Sequence, residues 1–466
     1  MGIYNALFIG ASGLSSFGNA VRIVGDNIAN VNTLGFKSQN VNFSDVLSQT
    51  LGSSGSNATN QAGNGVRIGT VTSDQQQGTL KTTTNSTDMA INGNGLFTVR
   101  DPNTGQLNYT RAGSFSMDKS SNLIDGQGNI VQGYPVDSTT QQAIGSVGNI
   151  TFANLAAQAQ PTSKVTVGAT LDSSSAPLPT GTTFNAADPS TYNFKSDAAV
   201  YDGLGQTHNV SLEFIKKGQD SAGNIVWDWH ASVDGKELKG GTAGTQTQIG
   251  TPTASTTAAG ITKPGSQSLV FGPAGQLVQE NSPSLTFNWL NAAATKVSFN
   301  YGDAAGQGTL YPTAKADAQG ITGTGLTGTV QMAGSFATRQ ITADGFASGF
   351  LSSLKTDSAG KISGVFTNGQ TRPLFQVALA KFPNDAALSH VGNNLLQESI
   401  SSGTPVLEKP GTGGMGTITP YALEQSNVDL ASQFVRLIVL QQGYTANSKT
   451  ILTTDQMLSS LMQVKR

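Results

Sequence analysis

The sequence contains no cysteine, and this absence excludes disulfide bonds, thiolate catalysis and cysteine-ligated metal sites. Charge is also scarce: Asp, Glu, Lys and Arg make up 12% of the 466 residues, and the formal net charge is −2. Because no block of basic residues occurs, the chain offers no electrostatic surface for nucleic acid or anionic lipid. No apolar run reaches the roughly 18 residues of a membrane span, so we expect no membrane insertion.

Residue patterns that carry chemistry are scarce as well. His208, His230 and His390 lie far apart in the sequence, and solvated or edge-strand positions suit them better than a metal site. The pattern G-x-G-x-x-G occurs twice, but neither copy has the preceding strand and following helix that a dinucleotide site needs. The stretch DPNTGQLNYTRA begins like a calcium loop, yet its last residue, Ala112, has no carboxylate. We therefore expect no enzyme activity, no cofactor and no bound metal.

The chain is instead rich in glycine, with 56 residues, and in Ser, Thr, Asn and Gln. This composition suits β-rich, turn-dense domains better than a large α/β enzyme. Short segments in which apolar residues alternate with polar ones are separated by Asn-Gly and Asp-Gly turns, as around Trp227 and Trp229. The middle of the chain is therefore predicted to be β throughout.

The two ends differ from the middle, because each carries an amphipathic helical pattern. Over residues 3–31 the apolar residues recur in heptads, at Leu7, Leu14, Val21 and Ile28, with Phe17, Val24 and Val31 on companion positions. Near the other end Leu430, Leu437, Tyr444, Ile451 and Leu458 recur every seventh residue, and Phe434 widens the stripe. Heptads at both ends favour helices that pack against each other or against neighbouring chains.

The sequence thus predicts a multidomain, mainly β chain. Its long N- and C-terminal α-helices pair as a coiled-coil-like layer, beside two nested β domains of barrel or sandwich type. We assign 1–32 and 425–466 to the terminal helical assembly domain, 33–75 to an extended linker segment, 76–145 and 341–424 to a discontinuous β domain, and 146–340 to an inserted outer β domain. The low-complexity stretch 240–267 is interpreted as a surface loop.

A cluster of side-chain amides ends the first helical pattern. Asn27, Asn30 and Asn32 lie in the stretch VGDNIANVNTLGFKSQ, residues 24–39. No nucleophile or base accompanies them, so a catalytic role has no support. Asn32 and Gly35 readily adopt the left-handed conformation that ends helices. A helix stop explains the position of the cluster but not the presence of three amides.

That stretch, together with SNVDLASQFVRLIVLQQGYTANSKTILTTDQML at 426–458 and STDMAINGNGLFTV at 86–99, resembles the bacterial flagellar axial family of rod, hook and hook-junction proteins. Phe36 stands where the family often has Tyr, and Asp26 where Asn is common. Rod relatives are much shorter and lack an insertion like 146–340, so the resemblance is strongest to the hook branch of the family.

The resemblance implies self-assembly into a curved helical tube, the extracellular hook of the flagellum, which passes motor torque from rod to filament. It implies export by the flagellar type III apparatus without a cleavable signal peptide. It also implies partners among rod, hook-cap and hook–filament junction proteins. The terminal helices would form the inner layer of the tube, and Asn27 and Asn30 would hydrogen-bond to neighbouring subunits. The implied assembly residues are Leu7, Leu14, Phe17, Val21, Val24, Asn27, Ile28, Asn30, Val31, Leu430, Phe434, Leu437, Tyr444, Asn447, Ile451 and Leu458.

Two alternatives remain open from the sequence. One is another flagellar axial component, a distal rod protein, against which the length of the chain argues. The other is a secreted β-rich adhesin, which the Ser, Thr and Gly content would suit. An adhesin does not need matched heptads at both ends of the chain, and it should bind its ligand without them.

Overall fold

A computed structural model of the chain describes residues 2–47, 49–50, 61–153, 155–179, 181–258, 260–306 and 323–464. Its long helices are α1 (Gly2–Ala29) and α2 (Leu430–Val464). Helix α2 begins where it does because Asp429 caps it: the Asp429 Oδ1 atom accepts the backbone N–H of Ala431 at 3.1 Å. Short 3₁₀ turns occur at Pro189–Thr191, Gly235–Glu237 and Asp385–Ala387.

The strands before residue 160 are β1 (Gln39–Asp45), β2 (Gln49–Thr50), β3 (Gln61–Ala62), β4 (Val66–Ser73), β5 (Leu80–Thr82), β6 (Met89–Asn92), β7 (Leu96–Arg100), β8 (Leu107–Thr110), β9 (Ser116–Met117), β10 (Leu123–Ile124), β11 (Ile130–Pro135), β12 (Gly148–Asn149) and β13 (Ala156–Ala157). Those of the middle are β14 (Lys164–Asp172), β15 (Phe194–Tyr201), β16 (Thr207–Gln219), β17 (Ile225–Asp234), β18 (Gln246–Gln248), β19 (Thr256–Ala258), β20 (Ile261–Lys263), β21 (Ser268–Phe271), β22 (Leu277–Asn281), β23 (Leu285–Phe287), β24 (Thr295–Asn300), β25 (Val330–Met332) and β26 (Ala337–Ala343). The last group is β27 (Gly349–Thr356), β28 (Lys361–Phe366), β29 (Thr371–Val377), β30 (Leu379–Lys381), β31 (Ser389–Gly392), β32 (Leu395–Gln397), β33 (Val406–Glu408), β34 (Thr417–Pro420) and β35 (Ala422–Glu424).

The described residues form two compact units. The first unit comprises those of Met1–Leu155, Ser352–Val365 and Thr371–Arg466, and the second those of Ala156–Leu351 and Phe366–Gln370. The predicted mainly β chain with paired terminal helices is confirmed. The second unit overlaps most of the segment 146–340 predicted as the inserted domain, while the four-part division of the chain stays a prediction.

In the first unit one sheet runs in the order β28–β29–β11–β7–β8–β32–β31, and all of these neighbours are antiparallel. Strands β5 and β6 come before this sheet in the chain, but they pair with β35 and β34 from the C-terminal segment. The apolar core includes Leu96, Tyr109 and Phe382, and the Tyr109 and Phe382 rings meet edge to face at 4.8 Å. Segments from both ends of the sequence therefore complete this unit.

The second unit is a two-sheet sandwich. One sheet has the order β15–β16–β17–β21–β22, and the other has the order β23–β24–β14–β25, with β26 also pairing with β14. Alternate residues of both sheets enter one shared core, which contains Trp227, Trp229, Trp289 and Phe299. Trp227 and Trp229 are two residues apart in one strand, so both rings lie on the same face of the sheet and enter this core. Core packing is the usual role of two aromatic residues with this spacing.

Two segments predicted to lack regular structure contain strands. Within 33–75, predicted as an extended linker, β1 and β4 form an antiparallel hairpin against α1, in register from Gln39 with Ser73 to Asp45 with Val66. Within 240–267, predicted as a surface loop, β18 pairs with β17, and β19 pairs with β20. In these strands the backbone groups of the Ser, Thr and Gln residues form hydrogen bonds with the neighbouring strand, while their side chains contribute little to a core. The composition of these strands therefore resembles that of loops. The part of the first prediction that covers residues 48 and 51–60 lies outside the described residues.

One helix of the described chain, over Tyr4–Ala29, is long and apolar enough to cross a membrane, with a mean hydropathy of 1.3. Such a helix near an N-terminus is weak evidence for a membrane span, because a helix packed on protein passes the same test of length and composition. Helix α1 packs along α2 and against the β1–β4 hairpin.

Candidate assembly surface

Helices α1 and α2 run antiparallel, and small residues let them approach closely. A Cβ atom added to Gly10 would lie 2.8 Å from Ile451 Cγ1, and one added to Gly443 would lie 2.6 Å from the Phe17 ring. At Gly13 the added atom would lie 2.5 Å from Asn447 Oδ1. Such distances are shorter than any normal contact, so these positions have room only for hydrogen.

The predicted assembly residues fall into three groups by burial. On α1, Val24 and Asn27 are buried. Partly buried residues are Leu7, Leu14, Phe17, Val21, Ile28, Asn30, Val31, Leu437, Asn447, Ile451 and Leu458. Exposed residues are Leu430, Phe434 and Tyr444. The seam buried between the helices is therefore lined largely by small and polar residues of α1, and most of the large heptad residues lie at its margins.

Helix α2 exposes many large apolar side chains, and they are spread around the helix rather than gathered on one face. Phe434 is 50% exposed, Val439 61% and Leu452 59%. The other exposed large apolar side chains of α2, besides Leu430, Phe434 and Tyr444, are Val435, Ile438, Val439, Leu452, Met457, Leu461 and Met462. A monomeric soluble protein rarely exposes so many large apolar side chains on one helix, and exposed apolar surface of this kind marks sites of protein interaction.

Asn27 is fully buried, and its amide bonds lie within the chain. Its Nδ2 group donates to the Gln39 carbonyl oxygen at 2.8 Å and to Gln433 Oε1 at 3.1 Å, and its Oδ1 atom accepts the Gln39 N–H at 2.8 Å. The side chain thus joins α1, β1 and α2. Both donors and the acceptor atom of the Asn27 amide therefore have partners within the chain, and the hydrogen bond to a neighbouring subunit stays a prediction that these bonds do not support.

Asn30 has local partners at the end of α1. Its Nδ2 group donates to the Asp26 carbonyl oxygen at 3.0 Å and to Asp26 Oδ1 at 3.2 Å, and its Oδ1 atom accepts the Thr33 hydroxyl at 3.0 Å. These bonds satisfy backbone and side-chain groups where the helix stops. The helix-stop interpretation therefore accounts for Asn30, and its partly buried side chain leaves a contact with another chain as a prediction.

The segment after α1 is joined to the start of α2 by a buried carboxylate, Glu424. Its Oε1 atom lies 2.6 Å from Lys37 Nζ and its Oε2 atom 2.7 Å from Arg111 Nε. The backbone N–H of Gly78 also donates to Oε1 at 2.9 Å. Lys37 in turn donates to the Gln76 carbonyl oxygen at 2.7 Å. Burial lowers the pKa of the Lys37 ammonium, and the hydrogen bond and negative charge of Glu424 oppose that shift.

This Glu424 junction also explains the glycine of the motif LGFK. Gly35 has a φ of +67°, and a Cβ atom there would lie 2.8 Å from the backbone nitrogen of Ala112. Its N–H donates to the Glu424 carbonyl oxygen at 2.8 Å. Asn427 completes the joint, since its Oδ1 accepts the Ser38 N–H at 2.8 Å. Sequence analysis missed Glu424, Arg111 and Asn427, because no local pattern connects positions so far apart in the chain.

The histidines of the second unit are buried, so the predicted solvated or edge-strand positions are wrong for them. His208 lies at 3.0 Å from Glu237 Oε2 and 3.2 Å from Asp202 Oδ2, and its ring stacks on Trp289. His230 lies in the central strand β17 and stacks on Phe184, and burial lowers its pKa to about 4. Aromatic stacking, together with carboxylate partners at His208, compensates for the burial of these rings.

Family models match four successive stretches of the chain. They are described as flagella basal body rod protein (residues 7–37), flagellar hook protein FlgE/F/G D1 domain (90–170), flagellar basal body protein FlaE D2 domain (170–346) and flagellar basal body rod FlgEFG protein C-terminal (420–464). The first and last matches fall on α1 and α2, and the other two fall on the β regions between them.

Full-length relatives carry the same name. The flagellar hook protein FlgE of Escherichia coli K12 is 31% identical over 460 residues, covering 97% of this chain and 98% of the relative. The flagellar hook protein FlgE of Treponema pallidum is 32% identical over 486 residues, covering 99% of each chain, and that of Brucella suis is 30% identical over 470 residues, covering 100% of each. A crystal structure of Helicobacter pylori flagellar hook protein FlgE2 aligns with a TM-score of 0.46 at 12% identity, covering 74% of this chain and 100% of that one. With about 30% identity sustained from α1 through α2, the chain belongs to the flagellar hook protein family.

Proposed function

We propose that this chain is a structural, non-enzymatic subunit that assembles with copies of itself into the curved helical tube of the flagellar hook. The observation that carries the proposal is the exposed apolar surface of α2, where Phe434 is 50% exposed, Val439 61% and Leu452 59%. Further copies of the chain packed around the helix would bury these side chains. When the contacting surfaces of two copies differ and the rotation between them does not close a ring, the result is an open helical polymer.

The tube would pass motor torque from rod to filament, and the Glu424 junction supports this role. Torque has to travel between the helical layer and the β region of each subunit. Glu424 ties the segments next to both helices to strands of the first unit by short charge-assisted hydrogen bonds at 2.6 and 2.7 Å. Such a joint resists bending inside a subunit, so that bending of the tube takes place between subunits.

The family relationship also supports the remaining parts of the proposal. The partners are rod proteins at one end of the tube and hook-cap and hook–filament junction proteins at the other, and the location is the extracellular part of the flagellum. Export proceeds through the flagellar type III apparatus without a cleavable signal peptide. Neither alternative is favoured: the relatives matched along the full chain are named hook proteins rather than distal rod proteins or adhesins.

Replacing Phe434 by Asp tests the proposal. Phe434 is half exposed in the monomer, so the substitution should leave the fold intact, whereas a carboxylate in an apolar contact between subunits costs several kcal/mol. We expect full-length wild-type protein to form tubes visible by electron microscopy and the variant to remain monomeric, with an unchanged circular dichroism spectrum. Ile144→Asp is the matched control, because Ile144 is also 50% exposed but lies outside the helices. Normal tubes from Phe434→Asp would contradict the proposed role of α2.

A further inference from the structure

A groove lies where α2 passes the β1–β4 hairpin, with α1 as its floor. It has a volume of about 570 Å³, and its apolar walls include Val24, Phe43, Val435 and Val439. Val435 is 62% exposed and Val439 61%. The groove also has one charged side chain, that of Arg436, whose Nη1 group donates to Asn40 Oδ1. The rest of its polar lining is uncharged and comes from Gln39, Asn40, Asn42 and Thr72. A complementary occupant therefore carries apolar side chains and a single negative charge.

The terminal helices themselves supply such a segment. Between them, α1 and α2 carry two carboxylates, Asp26 and Asp455. Asp26 lies at the same end of the helix pair as Arg436, and it accepts a hydrogen bond from Asn30. Asp455 is exposed, lies near the opposite end of α2, and forms no ion pair among the described residues.

Asp455 is also flanked by exposed apolar side chains. Leu452, one turn before it, is 59% exposed, and Met462, two turns after it, is 74% exposed. On an α-helix, residues about three, four or seven positions apart share a face. Leu452, Asp455 and Met462 therefore form an apolar surface with one carboxylate, which matches the apolar groove with one guanidinium.

We propose that the groove beside Arg436 receives the Leu452–Asp455–Met462 surface of α2 from a second copy, with Arg436 and Asp455 forming the ion pair between the two subunits. The inference rests on the proposed self-assembly and specifies which surfaces meet. Arg436 and Asp455 are nineteen residues apart on one helix. If neighbouring helices run in the same direction, this pairing offsets adjacent copies by roughly 28 Å along the helix, at about 1.5 Å per residue. An axial offset makes the contact heterologous and lets it repeat without closing.

Charge exchange tests the pairing in the full-length protein. Arg436→Glu and Asp455→Arg alone should each raise the critical concentration for tube formation, measured by sedimentation, at least about tenfold, the equivalent of about 1.4 kcal/mol. The double variant should return it to near the wild-type value. Lys449→Glu is the matched control, because it reverses an exposed cation on the same helix, and Asn40→Ala controls for the loss of the hydrogen bond within the chain.

The outcomes separate the inference from the proposed function. Wild-type tubes, weakened single variants and a restored double variant support the pairing. If wild-type protein forms tubes and either single variant matches it, the pairing is wrong while self-assembly stands. A double variant as weak as the single ones, or a Lys449→Glu loss equal to that of Arg436→Glu, also overturns the pairing. If wild-type protein forms no tubes while folded, the proposed function itself fails.

Discussion

Glu213, a buried carboxyl group of the second unit, contributes to the pH dependence of that unit's stability. Glu213 is fully buried beside Ser232, whose hydroxyl donates to Glu213 Oε1 at 2.6 Å. Burial raises the pKa of this carboxyl from 4.5 to about 7 despite that hydrogen bond. Between these two values the folded state binds more protons than the unfolded state. The contribution of Glu213 to the free energy of unfolding therefore falls as pH rises from about 4.5 through 7.

His230 acts in the opposite direction within the same unit. Its pKa is lowered from 6.5 to about 4 by burial, so the unfolded state binds more protons between these values and stability rises with pH there. The two effects oppose each other where their pH ranges overlap, and the buried carboxyl of Asp228, whose pKa burial also raises, acts in the same direction as Glu213. A wild-type pH profile therefore combines several groups, and a difference between variant and wild type is needed to isolate one of them.

Replacing Glu213 by Gln should isolate the contribution of this carboxyl to the pH dependence of stability. The stability of the variant relative to wild type should rise by about 3 kcal/mol from pH 4.5 to above pH 7, because Gln has no charge to bury. Urea unfolding followed by tryptophan fluorescence measures this difference, since Trp227, Trp229 and Trp289 all lie in the second unit. Glu398→Gln, an exposed control in the first unit, should leave the profile unchanged. A pH-independent difference for Glu213→Gln would show that folding does not raise the pKa of this carboxyl.

At the scale of elements, glycine decides how α1 and α2 pack. A glycine inside a helix normally costs about 1 kcal/mol relative to alanine. At Gly13 and Gly443, however, an added Cβ atom would lie 2.5 Å and 2.6 Å from atoms of the facing helix. At Gly25, in the same α1, nothing lies within 4 Å of the added atom. The same substitution should therefore have opposite effects at these positions.

We expect Gly13→Ala and Gly443→Ala each to lower the free energy of unfolding by about 1–3 kcal/mol, because the Asn447 side chain or the Phe17 ring has to leave its packed position to make room. Gly25→Ala is the matched control and should raise it by up to about 1 kcal/mol. Urea unfolding followed by circular dichroism at 222 nm measures all three variants. Stabilisation of the Gly13 variant equal to that of the Gly25 variant would mean that the helices are not in close contact there.

The helices themselves were predictable from sequence, but their seam was not. Heptads of Leu, Val and Ile correctly indicated two long helices that pair, as the structure confirms. Counting large apolar residues then placed the contact on Leu7 and Leu14, which are only partly buried, whereas Gly10 and Gly13 are buried. Helices that approach closely make contact at positions with small side chains, and a search for large apolar residues does not detect such positions. A search for Gly and Ala at three- and four-residue spacing would have found this face.

At the scale of the whole molecule, Glu424 should be the side chain on which the first unit depends most. Its carboxylate contacts Lys37 and Arg111, and all three side chains are at least 90% buried. Replacing Glu424 by Gln removes the negative charge and leaves two buried cations facing each other. We expect the free energy of unfolding of the first unit to fall by about 3–5 kcal/mol, since removing one partner of a buried ion pair leaves an uncompensated charge.

Circular dichroism at 222 nm reports this loss, because α1 and α2 both belong to the first unit. Glu398→Gln removes an exposed carboxylate from the same unit and should have little effect. Tryptophan fluorescence from the second unit shows in the same samples whether the change is confined to the first. If Glu424→Gln and Glu398→Gln unfold alike, the junction contributes nothing measurable to stability.

The mainly β class and the family followed from composition and local motifs, whereas the Glu424 junction did not. Gly35 and Lys37 stand out in the motif LGFK, but no neighbouring residue indicates that their partner is Glu424. Lys37 is 387 residues from Glu424, and Arg111 is 313 residues from it. Contacts of this kind depend on the tertiary fold, and a single sequence carries no local signal for them. The buried amide bonds of Asn27 with Gln433, 406 residues away, escaped prediction for the same reason.

These long separations also set the order in which the chain folds. Synthesis proceeds from the N-terminus, so Lys37 and Arg111 leave the ribosome hundreds of residues before Glu424 does. Until then the two cations lack the carboxylate that accompanies them into the core of the folded unit. The first unit therefore stays open until nearly the whole chain has been made. The second unit ends at Gln370 and needs no such late segment, so the two units differ in how much of the chain must exist before each can be completed.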